Sequence, residues 1–201
     1  QYYIEALEIY KRLAKENPAA YEPDVATMLN NLAVLYYNTQ RFEESEQYYI
    51  EALEIYKRLA KENPAAYEPD VATMLNNLAV LYYNTQRFEE SEQYYIEALE
   101  IYKRLAKENP EAYEPDVANT LNNLAILYYN TQRFKESEQY YIEALEIRKR
   151  LAKENPAAYE PDLATMLNNL ALLYKNTQRL KESEQYYIEA LKIRRRLAKE
   201  N

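Results

Sequence analysis

The chain has 201 residues, 29% of them charged, with 25 Lys and Arg against 33 Asp and Glu for a net charge of −8. It holds no His, Cys, Trp or Gly, which excludes thiolate and imidazole metal sites, disulfides, cysteine nucleophiles, His-based acid–base catalysis and glycine-rich phosphate loops. The acidic balance argues against nucleic acid, whose binding rests on cations meeting phosphates, and no apolar run is long enough to span a membrane.

The opening Gln1–Asn17 reads as one helix that matches the end of a longer unit. The string NPAAYEPDVATMLNNLA then starts at Asn17 and again at Asn63, with related strings at Asn109 and Asn155, a spacing of 46 residues each time. The units are 18–63, 64–109, 110–155 and 156–201, with 1–17 as an orphan second helix. The first two units are identical, the third differs from them at six positions and the fourth at eight. The chain opens in mid-unit without an initiator Met, and is expected to be a fragment or a processed product of natural or engineered origin.

Within the first unit, one helical pattern is expected from about Asp24 to Thr39. Asp24 stands as N-cap after Pro23, and Val25, Leu29, Leu32, Ala33 and Tyr36 recur at helical spacing. The AAYEP stretch before it reads as a loop, and Asn38–Arg41 as a short turn. A second pattern runs from about Phe42 to Glu62, with acids in its first turn and Lys61 in its last, as the helix dipole favours. Its apolar face carries Phe42, Ser45, Tyr49, Ala52, Leu53, Tyr56 and Ala60, and Pro64 stops it. No segment alternates as a strand does. The class is all-α, and a hairpin that cannot cover its own apolar faces is expected to stack on its neighbours as a solenoid.

Side-chain chemistry is sparse. Ser45, Ser91, Ser137 and Ser183 are the only serines, and with no His as base they read as small residues at close helix contacts rather than nucleophiles. Glu43, Glu44 and Glu46 point apart on a helix and read as a solvated face, with no metal or cofactor site. Asn30 and Asn31 in mid-helix are poor helix formers and need a reason. Either their amides bond a ligand or they fix the register between repeats.

The stretch Leu29–Ile55 resembles the tetratricopeptide repeat, and the preceding PDVATMLNNLA resembles the longer repeats of kinesin light chains and their bacterial relatives. Ala33 stands where that family has a small glycine, Gln40 replaces its turn glycine, and Lys57 replaces the proline that ends its second helix. The resemblance implies a right-handed superhelical α-solenoid whose first helices line a concave groove. It implies a non-enzymatic scaffold for a protein or an extended peptide; beside it stand the expectations of no nucleic acid, no membrane, no cofactor and a cytoplasmic location, since no targeting segment is visible. A structural or self-assembling segment and a regulatory arm of a larger protein are the alternatives.

By the same resemblance the groove set is Asn30, Val34, Tyr37 and Asn38. Its counterparts are Asn76, Val80, Tyr83 and Asn84, then Asn122, Ile126, Tyr129 and Asn130, then Asn168, Leu172, Lys175 and Asn176. Thr27 and Asn31 and their equivalents border it. The cations that clamp acidic chaperone tails in some members of the family are missing at Thr27, Asn30 and Val34. Net charge runs −4, −4, −2 and +2 along the four units. Of the added cations, Lys135, Arg148, Lys181, Lys192 and Arg194 are expected at solvated surface, and Lys175 in the groove. Leu7 and Tyr10 are expected to be uncovered and to promote end-to-end self-association.

Overall fold

The computed structural model describes residues 2–200, so Gln1 and Asn201 of the expected first and last segments lie outside the described residues. The described residues form α1 (Tyr2–Glu16), α2 (Pro18–Asn38), α3 (Phe42–Glu62), α4 (Pro64–Asn84) and α5 (Phe88–Glu108). They continue as α6 (Pro110–Asn130), α7 (Phe134–Glu154), α8 (Pro156–Asn176) and α9 (Leu180–Glu200), with no strand among them. The chain divides into two compact units, one reaching Ile101 and the other beginning at Tyr102. In the first, α1 packs on α2, α2 on α3 and α3 on α4. In the second, α6 packs on α7, α7 on α8 and α8 on α9. This is the sequential neighbour packing of tetratricopeptide-type helix hairpins.

The second helices fall where the periodicity places them. The first helices do not. Each begins six residues earlier than expected, at Pro18, Pro64, Pro110 and Pro156, so AAYEP is helical and Asp24 lies inside the helix. The cap is the Asn before each proline. The Asn63, Asn109 and Asn155 side chains accept from the backbone N–H of Ala66, Ala112 and Ala158 at 3.2–3.3 Å. Proline at the first helical position loses nothing, because its missing N–H would have been unpaired there anyway. The internal Pro23, Pro69, Pro115 and Pro161 are tolerated near the helix start, where one ladder bond is lost.

The turns are closed by Gln40, Gln86, Gln132 and Gln178, each left-handed with φ of 59–61°. That conformation costs a residue with a Cβ about 1 kcal/mol. Arg41 N–H still reaches Tyr36 O at 2.8 Å, and the contact repeats at Arg87, Arg133 and Arg179.

The core is made by Leu29, Leu32, Ala33, Tyr49, Ala52 and Leu53 and their counterparts, all buried in the first hairpin. Ser45, Ser91, Ser137 and Ser183 are buried too, and each Oγ donates to the carbonyl of Ala33, Ala79, Ala125 or Ala171 at 2.8 Å. The hydroxyl is spent inside its own hairpin. Leu7 is buried and Tyr10 half-buried rather than uncovered, because α2 packs over α1; Tyr2, Tyr3, Ile4 and Ile9 are the exposed large apolar side chains of that helix.

One expectation about charge is overturned inside the core. Arg148 is 2% exposed, not at a solvated surface. Tyr56 occupies the same position in the first hairpin, with its hydroxyl 3.1 Å from Thr27 Oγ1. In the third repeat both members change. The guanidinium of Arg148 donates to Asn119 Oδ1 and to Pro115 O, lies 3.5 Å from Asp162, and faces the Tyr159 ring at 5.7 Å. Burial pulls its pKa down, opposed by Asp162.

Candidate functional site

The side chains singled out on the first helices fall into four kinds. Asn38, Asn84, Asn130 and Asn176 are exposed. Val34, Val80, Ile126 and Leu172 stand at the surface, half-buried or just exposed. Asn30, Asn76, Asn122 and Asn168 are half-buried beside them. Tyr37, Tyr83 and Tyr129 are half-buried, while Lys175, which takes their place in the fourth repeat, is exposed.

Much of the amide chemistry is turned inward, between repeats. Asn77 Nδ2 donates to Asn30 Oδ1 at 3.4 Å, tying α4 to α2. Asn84 Nδ2 donates to Tyr37 OH at 2.7 Å and to Val80 O at 2.8 Å. Asn176 Nδ2 donates in the same way to Tyr129 OH. The Asn30–Asn77 bond thus sets register between α2 and α4, and the Tyr37 and Tyr129 hydroxyls are held by the next repeat. The carbonyl oxygens of Asn76 and Asn122 are buried with no hydrogen-bond partner. Such an atom carries a desolvation cost of about 1–3 kcal/mol.

What remains open to a ligand is apolar. In the second unit Ile126, Tyr129, Tyr141 and Leu172 wall a hollow of about 220 Å³ with the amides of Asn130 and Asn169 at its rim. Tyr129 is held in place by the edge of Phe134, with ring centroids 5.9 Å apart, and by Asn176. Tyr141 was read from the sequence as core alone. It is 3% exposed, and it still forms part of the wall of the hollow. A buried second-helix position next to two surface first-helix positions is the signal that could have found it.

The turns carry a second, purely structural cluster. Arg87 donates to Glu46 at 2.7 Å and to Glu90, and lies 4.1 Å from the Tyr82 ring centroid; Tyr82 OH also donates to Glu46, at 2.9 Å. Arg179, Glu138, Glu182 and Tyr174 repeat the arrangement. The arginine holds the Glu90 and Glu182 carboxyls below their ordinary pKa through charged hydrogen bonds. Among the described residues no group of His, Cys, Asp and Glu is placed to hold a metal ion, and no helix is long and apolar enough to cross a membrane.

Comparison with known proteins agrees with this architecture. The crystal structure of BtubC (BKLC) from P. vanneervenii superposes with a TM-score of 0.78 at 28% identity, over 98% of this chain and 74% of that one. The apo form of RapI follows at 0.75 and 20% identity, over 98% of this chain and 64% of that one. A Podosopora anserina protein named for kinesin light chain, with nearly identical tetratricopeptide-like repeats, gives 0.69 at 13% identity over 98% and 89% of the two chains. The search of curated proteins gave no match. Two tetratricopeptide repeat models match the sequence, one over residues 70–150 and the other over 25–65 and 163–201. Helix order, neighbour packing and sequence pattern agree over most of its length, and the chain belongs to the tetratricopeptide repeat family.

Proposed function

We propose that the chain is a protein-binding scaffold with no catalysis of its own, and that its first-helix faces hold an extended peptide. The observation that carries this reading is the hollow walled by Ile126, Tyr129, Tyr141 and Leu172, an apolar recess with amides at its rim. Such a recess takes one apolar side chain, while Asn169 bonds the peptide backbone beside it; Asn130 Nδ2 already donates to Ile126 O at 2.9 Å. Beyond it Lys175 offers a cation to an acidic group. In the first unit, taken by itself, the corresponding first-helix side chains Asn30, Val34, Tyr37, Asn38, Asn76, Val80, Tyr83 and Asn84 carry the same surface chemistry. The Rap conjugation gene regulator of plasmid pLS20, crystallised in complex with the Phr* peptide, has this fold at 16% identity and a TM-score of 0.64, and this chain spans 44% of its length. Peptide binding by a protein of this fold supports the reading.

The test is a selection of random peptides on the intact chain, followed by calorimetry. Tyr129→Ala is expected to weaken a selected peptide by about 2 kcal/mol, as loss of a central aromatic anchor does. Lys175→Tyr is expected to weaken acidic peptides only several-fold and to flatten their salt dependence, since an exposed ion pair is worth at most about 1 kcal/mol. Selected peptides that bind Tyr129→Ala and Leu172→Asp as tightly as the parent would refute the reading.

A further inference from the structure

The second helices keep one stripe of side chains exposed even where another repeat packs on them. Glu43, Gln47 and Glu54 are exposed on α3 although α4 packs on it, and their counterparts are exposed on α5, α7 and α9. Glu43 and Glu54 are three helical turns apart, so their carboxylates share a face with a spacing of about 16.5 Å. Ile50, 36% exposed, lies between them. Lys57 pairs with Glu97 at 2.8 Å and ties α3 to α5, whose Glu89 and Glu100 repeat the two positions. In the second unit Lys149 pairs with Glu189 at 2.9 Å and ties α7 to α9 in the same way. There the two positions hold Lys135 and Glu146 on α7 and Lys181 and Lys192 on α9, beside the exposed Ile142 and Ile188.

Many surface charges are already paired within the chain, as Arg41 is with Glu44 and Arg58 with Glu22. Among the described residues, none of these eight stripe charges forms an ion pair. The substitutions at the two positions reverse charge and do not merely remove it. The first unit shows four carboxylates where the second shows three ammonium groups and one carboxylate. The first unit as a whole carries −10 and the second +2, which together give the −8 of the chain. The same repeat builds both faces, so the spacing of the anions on one is the spacing of the cations on the other.

From this match of sign and spacing we infer that the chain binds a second copy of itself side-on, the α3–α5 stripes of one copy lying on the α7–α9 stripes of another. Lys181 and Lys192 meet one pair of carboxylates, Lys135 meets a third, and the exposed isoleucines fall between them. Glu146 opposes a carboxylate, which limits the contact to three favourable pairs. Each exposed pair adds at most about fivefold to the affinity, so the contact is weak and needs low salt. It uses neither the ends of the array nor the first-helix side chains proposed to hold a peptide.

The test is the sign of the force between intact copies, read by static light scattering as salt is lowered. A chain of net charge −8 should repel its copies, more strongly as screening is withdrawn. The parent is expected to do the opposite, with an attraction that grows below ~0.1 M salt, where the Debye length exceeds about 10 Å. Lys181→Glu with Lys192→Glu is expected to turn that attraction into repulsion. Lys61→Glu with Lys107→Glu changes the net charge equally at exposed lysines outside the eight positions, and is expected to weaken the attraction far less. Glu43→Lys, Glu54→Lys, Glu89→Lys and Glu100→Lys made together are expected to abolish self-attraction too. A one-to-one mixture of that variant with the Lys181/Lys192 variant is expected to regain attraction, since each then offers what the other lacks. All the substitutions alter exposed side chains, and circular dichroism confirms that the helices stay folded. Repulsion between parent copies at low salt, equal behaviour of the two lysine double variants, or a mixture that stays repulsive would overturn the proposal.

Discussion

In the first repeat the second helix closes its hairpin with Tyr56, buried and hydrogen-bonded to Thr27. In the third repeat the same place holds Arg148, more deeply buried and hydrogen-bonded to Asn119. The surrounding backbone is the same helix pair in both. A neutral core contact has become a charged one because both partners changed, and Asp162 of the following helix adds a carboxylate. Near-identical repeats make each such change its own control. The lesson is that burial is a property of the position, and the side chain there can vary if most of its polar atoms are met; Arg148 Nε is left buried without a hydrogen-bond partner.

Breaking the comparison at its centre should have the largest effect. Arg148→Ala is expected to lose about 3 kcal/mol in denaturant titration, from a cavity and an abandoned Asn119 amide. Tyr56→Ala should lose a similar amount, from the cavity alone. A much smaller loss for Arg148→Ala would mean that the guanidinium is not held as described. Asn119→Thr by itself should cost about 2 kcal/mol, because a buried guanidinium loses its acceptor. Adding Arg148→Tyr to it restores the first repeat's chemistry and should recover that loss or more, since neutral replacements of buried charges often stabilise. A double-mutant cycle with no coupling would show the two substitutions to be independent.

Alkali sharpens the same contrast. Burial raises the Tyr49 phenol to about 12 and raises Tyr56 as well. A phenol with a raised folded pKa contributes stability below its unfolded value of about 10, and that stability is lost as pH climbs toward the folded value. Unfolding should therefore set in across pH ~10–12, with the buried phenols ionising only as helicity falls. Tyr56→Arg made together with Thr27→Asn copies the third repeat into the first and should remove part of that loss. Phenolate titrating fully before any loss of helicity would contradict the burial. The smallest effects concern features shared by every repeat. Ser45→Ala and Ser137→Ala should each cost about 1 kcal/mol for the lost bond to a helix carbonyl. Gln132→Gly should gain up to about 1 kcal/mol at a left-handed residue.

The 46-residue period, the second helices and the core faces were legible because periodicity records which side of a helix is covered. The start of the first helix was not. Pro23 followed by Asp24 imitates a helix start, and the true cap, Asn17-Pro18, looked like the end of the previous helix. Arg148 was misread because charge usually marks surface, and nothing local reveals that Asn119, 29 residues away, is its acceptor. At the candidate site the identities of the surface residues were legible from the resemblance. The inward turn of their amides was not, since Asn84 and Tyr37 meet only when two repeats stack. Leu7 was expected bare because its own hairpin partner is absent from the sequence; α2 from the next repeat covers it.

The connectors have a consequence for how such a chain can change length. Two 21-residue helices are joined by three residues, and one asparagine leads to the next pair. No connector has slack. One residue added inside a helix would turn everything after it by about 100°, carrying the buried stripe out to water. A lengthened turn would displace the left-handed glutamine that closes it. Small insertions and deletions are therefore penalised throughout, while gain or loss of a full period leaves every cap, turn and contact in phase. Chain length in this architecture is quantised, and exchange between identical stretches is the change it accommodates with least damage.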